Sequence, residues 1–366
     1  MQLVSLTITD FRNIGDMTIE PDPEGTTVIT GLNGAGKSSV LEAIGYLSTL
    51  ESFRGSPRQS LVRQGAEQAI LRAETRSDDR LMTIEAELSV SGRSRTLVNR
   101  QTVRRRGDLH EALRTTMFSP EDIGVVRAGP AERRHFLDQT LAVVDPKAAR
   151  SVEEVDKILR QRSALLRTAG RRLSAEVADT LDVWDSRLDT AGTALVEARE
   201  ALVADLAPIA GDHYSRLAGR STTVGLEYQR SWAGPLVDAL AEVRTKDVER
   251  GISSIGPHRD ELLLTIGELP GRTQASQGEQ RTLALALQLA VHQLATERLG
   301  SSPVLLLDDV FSELDPFRSR ALLAGLPPGQ ALLTTALPAP VEVESARIYA
   351  MEAGGHVSVV ASPGPN

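Results

Sequence analysis

Apolar and polar residues alternate with period two across residues 1–10 and again across 17–30, on either side of a Pro/Gly-rich turn at Pro21 to Gly25. This is the pattern of half-buried antiparallel strands. Residues 81–98 alternate in the same way around Ser91 and Gly92, which predicts a hairpin turn. From about Pro146 to Leu217 the period changes: Val152, Val155, Leu159, Leu166, Leu173, Val177, Leu181, Trp184, Leu188, Leu195 and Leu202 mark one face of a helical pattern, and Gly170 is the expected turn between two long helices. Each helix is expected to run about 25–40 residues, roughly 40–60 Å at 1.5 Å per residue. Residues 26–30 (TTVIT) predict a strand, 38–50 and 281–294 predict helices, and the continuous apolar run 304–307 (VLLL) predicts a buried parallel strand. The fold class is therefore α/β. The two ends of the chain, residues 1–125 and 251–366, are expected to form one lobe, with a mostly helical lobe, 126–250, inserted between them.

Candidate chemistry falls on those elements. Residues 31–38 read GLNGAGKS and fit GxxxxGK[ST] between a strand and a helix, a loop whose backbone N–H groups curl around phosphates while its Lys and Ser supply a cation and a magnesium ligand. Gly31, Asn33, Gly34, Gly36, Lys37, Ser38 and Ser39 are the expected nucleotide contacts. The N-terminus of the following helix points the same way and favours negative charge. Of 41 lysines and arginines only four are lysine, at 37, 147, 157 and 246. In so arginine-biased a chain Lys37 needs a reason, and a compact ammonium among phosphate oxygens is one. The run 304–307 ends in Asp308 and Asp309. Asp308, at the C-terminal edge of a parallel strand, is expected to meet magnesium together with Ser38; Asp309 is expected to orient or deprotonate the attacking water. Residues 275–280 read ASQGEQ, and Ser276 to Glu279 fits a capping box at the start of a helix.

Composition narrows the partners. A formal net charge of −8 argues against a protein that coats nucleic acid indiscriminately. Locally, Arg93, Arg95, Arg100, Arg104, Arg105 and Arg106 follow one another without an acid, a candidate DNA contact because charges beyond a Debye length of ~8 Å are screened; the alternative is a solvated hairpin face. Arg160, Arg162, Arg167, Arg171 and Arg172 form a second cluster, closer to acids. With 3% aromatic residues, stacking on unpaired bases is not expected as the main binding mode. The absence of cysteine excludes disulfides and a Cys metal site, and the six histidines show no ligand spacing, so no metal beyond magnesium is implied. No apolar stretch reaches the ~20 residues that span a bilayer and the first 20 residues read as strand, so a cytoplasmic location is expected.

ASQGEQ also resembles the signature of the ABC-type ATPases: Ser276, Gly278 and Glu279 match it, Ala275 and Gln277 depart. Residues 312–315 (SELD) resemble the D-loop of the same enzymes. With DFRN (10–13), FSPED (118–122), RRHFLD (133–138), GPHRD (256–260) and LLLDDVFSELD (305–315), the chain resembles, over essentially its whole length, the SMC family of ABC-type ATPases and within it the bacterial recombination mediators. The resemblance implies an ABC-ATPase-like P-loop head, in which lobe I is a mixed sheet with helices and lobe II carries short coiled helices. It implies that Ser276, Gly278 and Glu279 act in trans on the nucleotide of a second copy, so that Ser276 joins Lys37 and Asp309 as catalytic, and that Arg12 of DFRN joins the nucleotide contacts. It further implies ATP and Mg2+, a homodimer formed on ATP binding, and slow, DNA-stimulated hydrolysis. Double-stranded DNA at its junctions with single strands, and RecR and RecO in loading the recombinase, are the implied partners. Two alternatives stand beside this. One is the nucleotide-binding subunit of a transporter, disfavoured by FSPED and by Thr334 and Thr335 where a switch His would stand. The other is an ATP clamp that scarcely hydrolyses.

Overall fold

The computed structural model describes residues 1–77, 80–103, 106–312, 314–336, 347–352 and 356–360. The chain divides into two compact units: the first takes Met1–Asp122, Arg216–Arg220 and the residues from Leu285 onward, the second Ile123–Ser215 and Ser221–Ala284. In chain order the first unit begins with β1 (Gln2–Phe11), β2 (Ile14–Ile19), β3 (Thr26–Thr30), α1 (Lys37–Thr49), β4 (Gln68–Ser77), β5 (Arg80–Ser89), β6 (Arg95–Val98), β7 (Gln101–Thr102), α2 (Arg106–Ala112) and β8 (Thr115–Phe118). There follow α3 (Gly124–Arg127), α4 (Pro130–Val144), α5 (Ala149–Thr168), α6 (Ala175–Ala218), β9 (Val224–Gln229), α7 (Leu236–Arg250), β10 (Glu261–Ile266), β11 (Leu269–Pro270) and α8 (Gln277–Leu299). The chain ends in β12 (Val304–Leu307), α9 (Pro316–Ala324), β13 (Ala331–Thr335), β14 (Arg347–Met351) and β15 (Val357–Val360).

The first unit holds two six-stranded sheets, an antiparallel one in the order β2-β1-β4-β5-β6-β7 and a second in the order β15-β14-β3-β13-β12-β8, parallel except for β15. Helix α1 packs against both, and its Val40, Leu41, Ala43, Ile44 and Leu47 join inner-face residues of the strands in one core. A helix between two sheets is covered along most of its length, and even Glu42 is buried in it. Residues 1–10 and the start of the 17–30 stretch pair antiparallel as their alternation predicts, β2 with β1 and Leu6 opposite Ile19, but residues 26–30 do not: β3 lies parallel between β13 and β14 in the other sheet. The reason lies in the period. Thr27, Val28 and Ile29 are buried in succession, with no alternation, as a strand covered on both faces requires. The β5–β6 hairpin forms as its alternation predicts.

The second unit pairs β9 with β10 and β10 with β11, all antiparallel, beside helices α3 to α7. Residues 251–284, expected with the nucleotide lobe, pack in this unit: β10 is in register with β9, Leu264 opposite Leu226, and Arg133 of α4 grips Glu261 with two hydrogen bonds. Helices α5 and α6 are unequal, 20 and 44 residues. Gly170 and Arg171, at φ 61° each, end α5 in left-handed backbone, whereas the apolar stripe of α6 continues through Leu202, Leu206, Ala210 and Tyr214. Among the described residues no helix is long and apolar enough to cross a membrane.

Between these helices charge replaces much of the oil. Arg162, fully buried, donates to Asp185 (2.8 Å), Asp247 (2.9 Å) and Ser253 (2.6 Å), and so leaves the basic surface cluster the sequence suggests. A second internal network unites RRHFLD and GPHRD. Arg199 of α6 clasps Asp138 and donates to the carbonyl of Pro257, Tyr228 donates to Asp260 at 2.6 Å, and Arg134 donates to the Asp260 carbonyl. GPHRD is thus a brace. Its His258 donates through Nε2 to the Ser253 carbonyl, and burial, reinforced by Arg259, Arg134 and Arg162, pushes its pKa from 6.5 to about 4.

A histidine held neutral when folded contributes stability above pH 6.5 and loses it as pH falls toward 4, because the unfolded chain takes up the proton first. By pH 5 the loss is about 2 kcal/mol. The drop in urea midpoint between pH 7 and pH 5 is expected to be smaller in His258→Gln than in the wild type.

Candidate functional site

The C-terminal end of β3 runs into the loop Gly31 to Gly36, and α1 starts directly behind it. The loop depends on its glycines. Gly31 has φ 152°, and a Cβ there would lie 2.3 Å from the Met351 carbonyl; Gly36, at φ 115°, would meet the Met351 side chain at 2.8 Å. Gly34 also has positive φ, but faces open space. Lys37 turns its ammonium onto the carbonyls of Gly31 (2.8 Å) and Leu32 (3.0 Å). Burial holds its pKa below the ordinary lysine value, against the pull of Asp309 and then Asp308, so both acids act on the same space as the ammonium.

Loop and helix line a cleft of about 880 Å³, completed by Arg12, Asn13, Asn33, Arg54, Ser56, Ser60, Gln64 and Asp309; small-molecule sites span roughly 300–1,000 Å³. Asn33, Gly34, Gly36, Lys37, Ser38 and Ser39 all reach it. Arg12 lies at its edge but is largely occupied: it grips Glu42 with Nε and Nη2 (2.8 and 2.6 Å) and donates to Ser56 and to the Ser60 carbonyl. It ties β1, α1 and the segment after α1 together. Asn13, the last residue of the DFRN string, has no role that its spacing announces, yet it donates to the Gly34 carbonyl at 2.9 Å and accepts from Ser39 at 3.0 Å, holding the loop at two points. Arg54, which no periodicity or motif marks, lies over the Phe53 ring and reaches Asp308 Oδ2 at 3.3 Å.

The acid pair follows β12, in register with β13 and β8. Asp308 is buried and accepts from Thr334 at 2.6 Å; Asp309, at φ 45°, accepts from Ser312 at 2.9 Å. Thr335 is buried at the end of β13, in register with Thr30 of β3. Glu313 of the SELD string lies outside the described residues; Asp315 caps α9 by accepting from the Arg318 amide.

Ser276 and Glu279 form the expected capping box: Ser276 donates from N and Oγ to the Glu279 carboxylate (2.9 and 2.8 Å) and accepts from its amide. The helix begins at Gln277, four residues earlier than expected, because that box satisfies the first amides. Gly278 lies in its first turn, and Gln280 turns inward to the carbonyls of Gly271 and Arg272 while accepting from Arg127. This segment belongs to the second unit, the cleft wholly to the first.

Of the candidate DNA contacts, Arg93 and Arg100 are exposed in the turns on either side of β6, and Arg95 is exposed in register with Glu87, a pairing that offsets its charge. Arg104 and Arg105 lie outside the described residues, and of Arg106 only the backbone, opening α2, is described.

A glycine loop ahead of a helix, an acid pair ending a parallel strand and a serine-capped signature helix have the arrangement of an ABC-ATPase-like P-loop head of the SMC kind. The model of the RecF/RecN/SMC N-terminal domain matches residues 2–330. The chain is 41% identical to DNA replication and repair protein RecF of Streptomyces avermitilis, covering 92% of this chain and 93% of that one. It is 41% identical to the RecF of Frankia alni, with 98% and 99% covered. The solved structure of the recombination mediator RecF-ATP superposes with a TM-score of 0.89 at 30% identity over 98% of each chain. The Smc head of Pyrococcus furiosus shares the fold, at 15% identity and TM-score 0.59 over 98% of this chain and 96% of that one. The chain belongs to the RecF family of DNA replication and repair proteins.

Gly31→Ala is expected to cost about 1–3 kcal/mol of stability, because it forces a Cβ against a backbone carbonyl at a strained φ. Gly34→Ala, strained but unobstructed, should cost about 1 kcal/mol. Urea unfolding of the two variants tests the difference.

Proposed function

We propose that the cleft of the first unit binds ATP with magnesium, that two copies of the chain close over two nucleotides, and that the closed dimer holds double-stranded DNA during recombinational repair. The observation that carries the reading is the cleft, which brings Lys37, Ser38 and Asp309 into one space lined by a single unit, while the signature residues Ser276 and Gly278 fall in the other unit. A second copy supplying Ser276 and Gly278 to each nucleotide completes the site. The RecF structure described as bound to ATP supports the nucleotide, and its description within the RecFOR pathway supports RecR and RecO as partners in loading the recombinase.

The residues fit a magnesium ion, which takes one or two carboxylates and fills its remaining positions with phosphate and water. Ser38 and Asp308 would hold it; when bound, it neutralises charge on the β and γ phosphates. Lys37 exchanges the carbonyls of Gly31 and Leu32 for phosphate oxygens. Asn13 keeps the loop in shape for them, and Asp309 orients the attacking water. An Asp has a shorter reach than a Glu, and Asp309 is also tied to Ser312, so turnover is slow and suits a switch that opens the dimer and releases DNA. The same tie favours the second reading, a clamp in which hydrolysis is nearly absent. The exposed arginines at 93, 95 and 100, with 104 to 106, are the proposed phosphate contacts at gap junctions.

Light scattering of the wild type with Mg-ATP is expected to report a dimer, and Ser276→Arg a monomer that still binds ATP; a dimer in that variant removes the trans arrangement. Replacing Arg93, Arg95 and Arg100 with Gln should flatten the dependence of duplex affinity on salt by about one unit of log–log slope for each phosphate no longer neutralised. Fluorescence anisotropy over a salt series measures it.

A further inference from the structure

Thr334 stands near a position where a transporter would carry a His, and its hydroxyl lies between the two acids. Oγ accepts the Asp309 amide at 2.9 Å and donates to Asp308 Oδ1 at 2.6 Å. The direction of both bonds is forced: a backbone N–H can only donate, so the one hydroxyl proton is left for the carboxylate. We propose that Thr334 is the positioning residue of the acid pair, fixing which oxygen of Asp308 is available to a metal and where Asp309 points. With Oδ1 committed to Thr334, Asp308 offers Oδ2, the oxygen that Arg54, itself lining the cleft, reaches at 3.3 Å. The other bond anchors Asp309 in left-handed backbone, φ 45°, a conformation that persists only where its surroundings hold it. Ser312 takes Asp309 Oδ2, and Oδ1 is buried with no partner among the described residues, which leaves one oxygen to engage a water.

Only a hydroxyl can give and receive at a single atom on a short side chain, and a β-branched one suits the buried strand β13. Thr334→Val keeps the shape and loses both bonds, while Thr334→Ser keeps both.

The inference rests on the reading that Asp308 serves a magnesium ion, and the experiment separates the two. Binding of a fluorescent ATP analogue to the full chain is titrated with magnesium and, separately, in EDTA, for the wild type, Thr334→Val, Thr334→Ser and Asp308→Ala. The affinity gained from magnesium is expected to fall about tenfold or more in Thr334→Val and to be retained in Thr334→Ser, with binding in EDTA unchanged in both. An undiminished gain in Thr334→Val, with Asp308→Ala impaired, overturns the role of Thr334 alone. An undiminished gain in Asp308→Ala overturns the metal assignment and this inference with it. Equal loss in EDTA for the Val and Ser variants also overturns it, since damage to the strand then explains the effect.

Discussion

A carboxylate with no exposure to water, Glu42, sits in the middle of α1, and Arg12 neutralises it with a two-pronged grip. Breaking such a pair from one side costs about 3–5 kcal/mol, so the positions of three segments are effectively one position. Ser52 adds a hydroxyl to the same carboxylate, and Ser56 and the Ser60 carbonyl take the remaining reach of the guanidinium. The end of β1 thereby carries Asn13 to the phosphate loop, and the segment after α1 carries Arg54 to the acid pair. The cleft walls inherit their spacing from an ion pair at the cleft's edge.

The second unit follows another rule. Where α5, α6 and α7 meet, the apolar cluster is small, Leu166, Leu181 and Val248 with their neighbours, and Arg162 with Asp185 and Asp247 occupies the space beside it. Ion pairs need fixed geometry to offset their desolvation, so this packing specifies one arrangement of the helices where oil would tolerate several. The Arg199, Asp138, Tyr228 and Asp260 network does the same for α4, α6 and the GPHRD turn. Arg133, Arg162 and Arg199 are buried in such pairs.

Local chemistry was legible in the sequence wherever it is written in consecutive residues. The strand 26–30, the strand 304–307, the β5–β6 turn and the Ser276 capping box each need only neighbours in the chain, and each forms as its residues require. What could not be read is what distant segments decide. The partner of β3 depends on strands some 300 residues later, the assignment of 251–284 depends on Glu261 finding Arg133, and the parts played by Asn13, Arg54 and Thr334 depend on neighbours no spacing announces. Arg12 and Arg162 show the converse: a guanidinium in the sequence advertises charge, and burial against acids hides it.

Gly31 abuts the carbonyl of Met351, and β3 is flanked on both sides by strands from the last tenth of the chain. During synthesis, therefore, the phosphate loop leaves the ribosome long before the backbone that shapes it. A nascent or truncated chain can carry the whole glycine motif and still lack the backbone against which it is shaped, so the loop takes its form only once the last strands have joined the sheet.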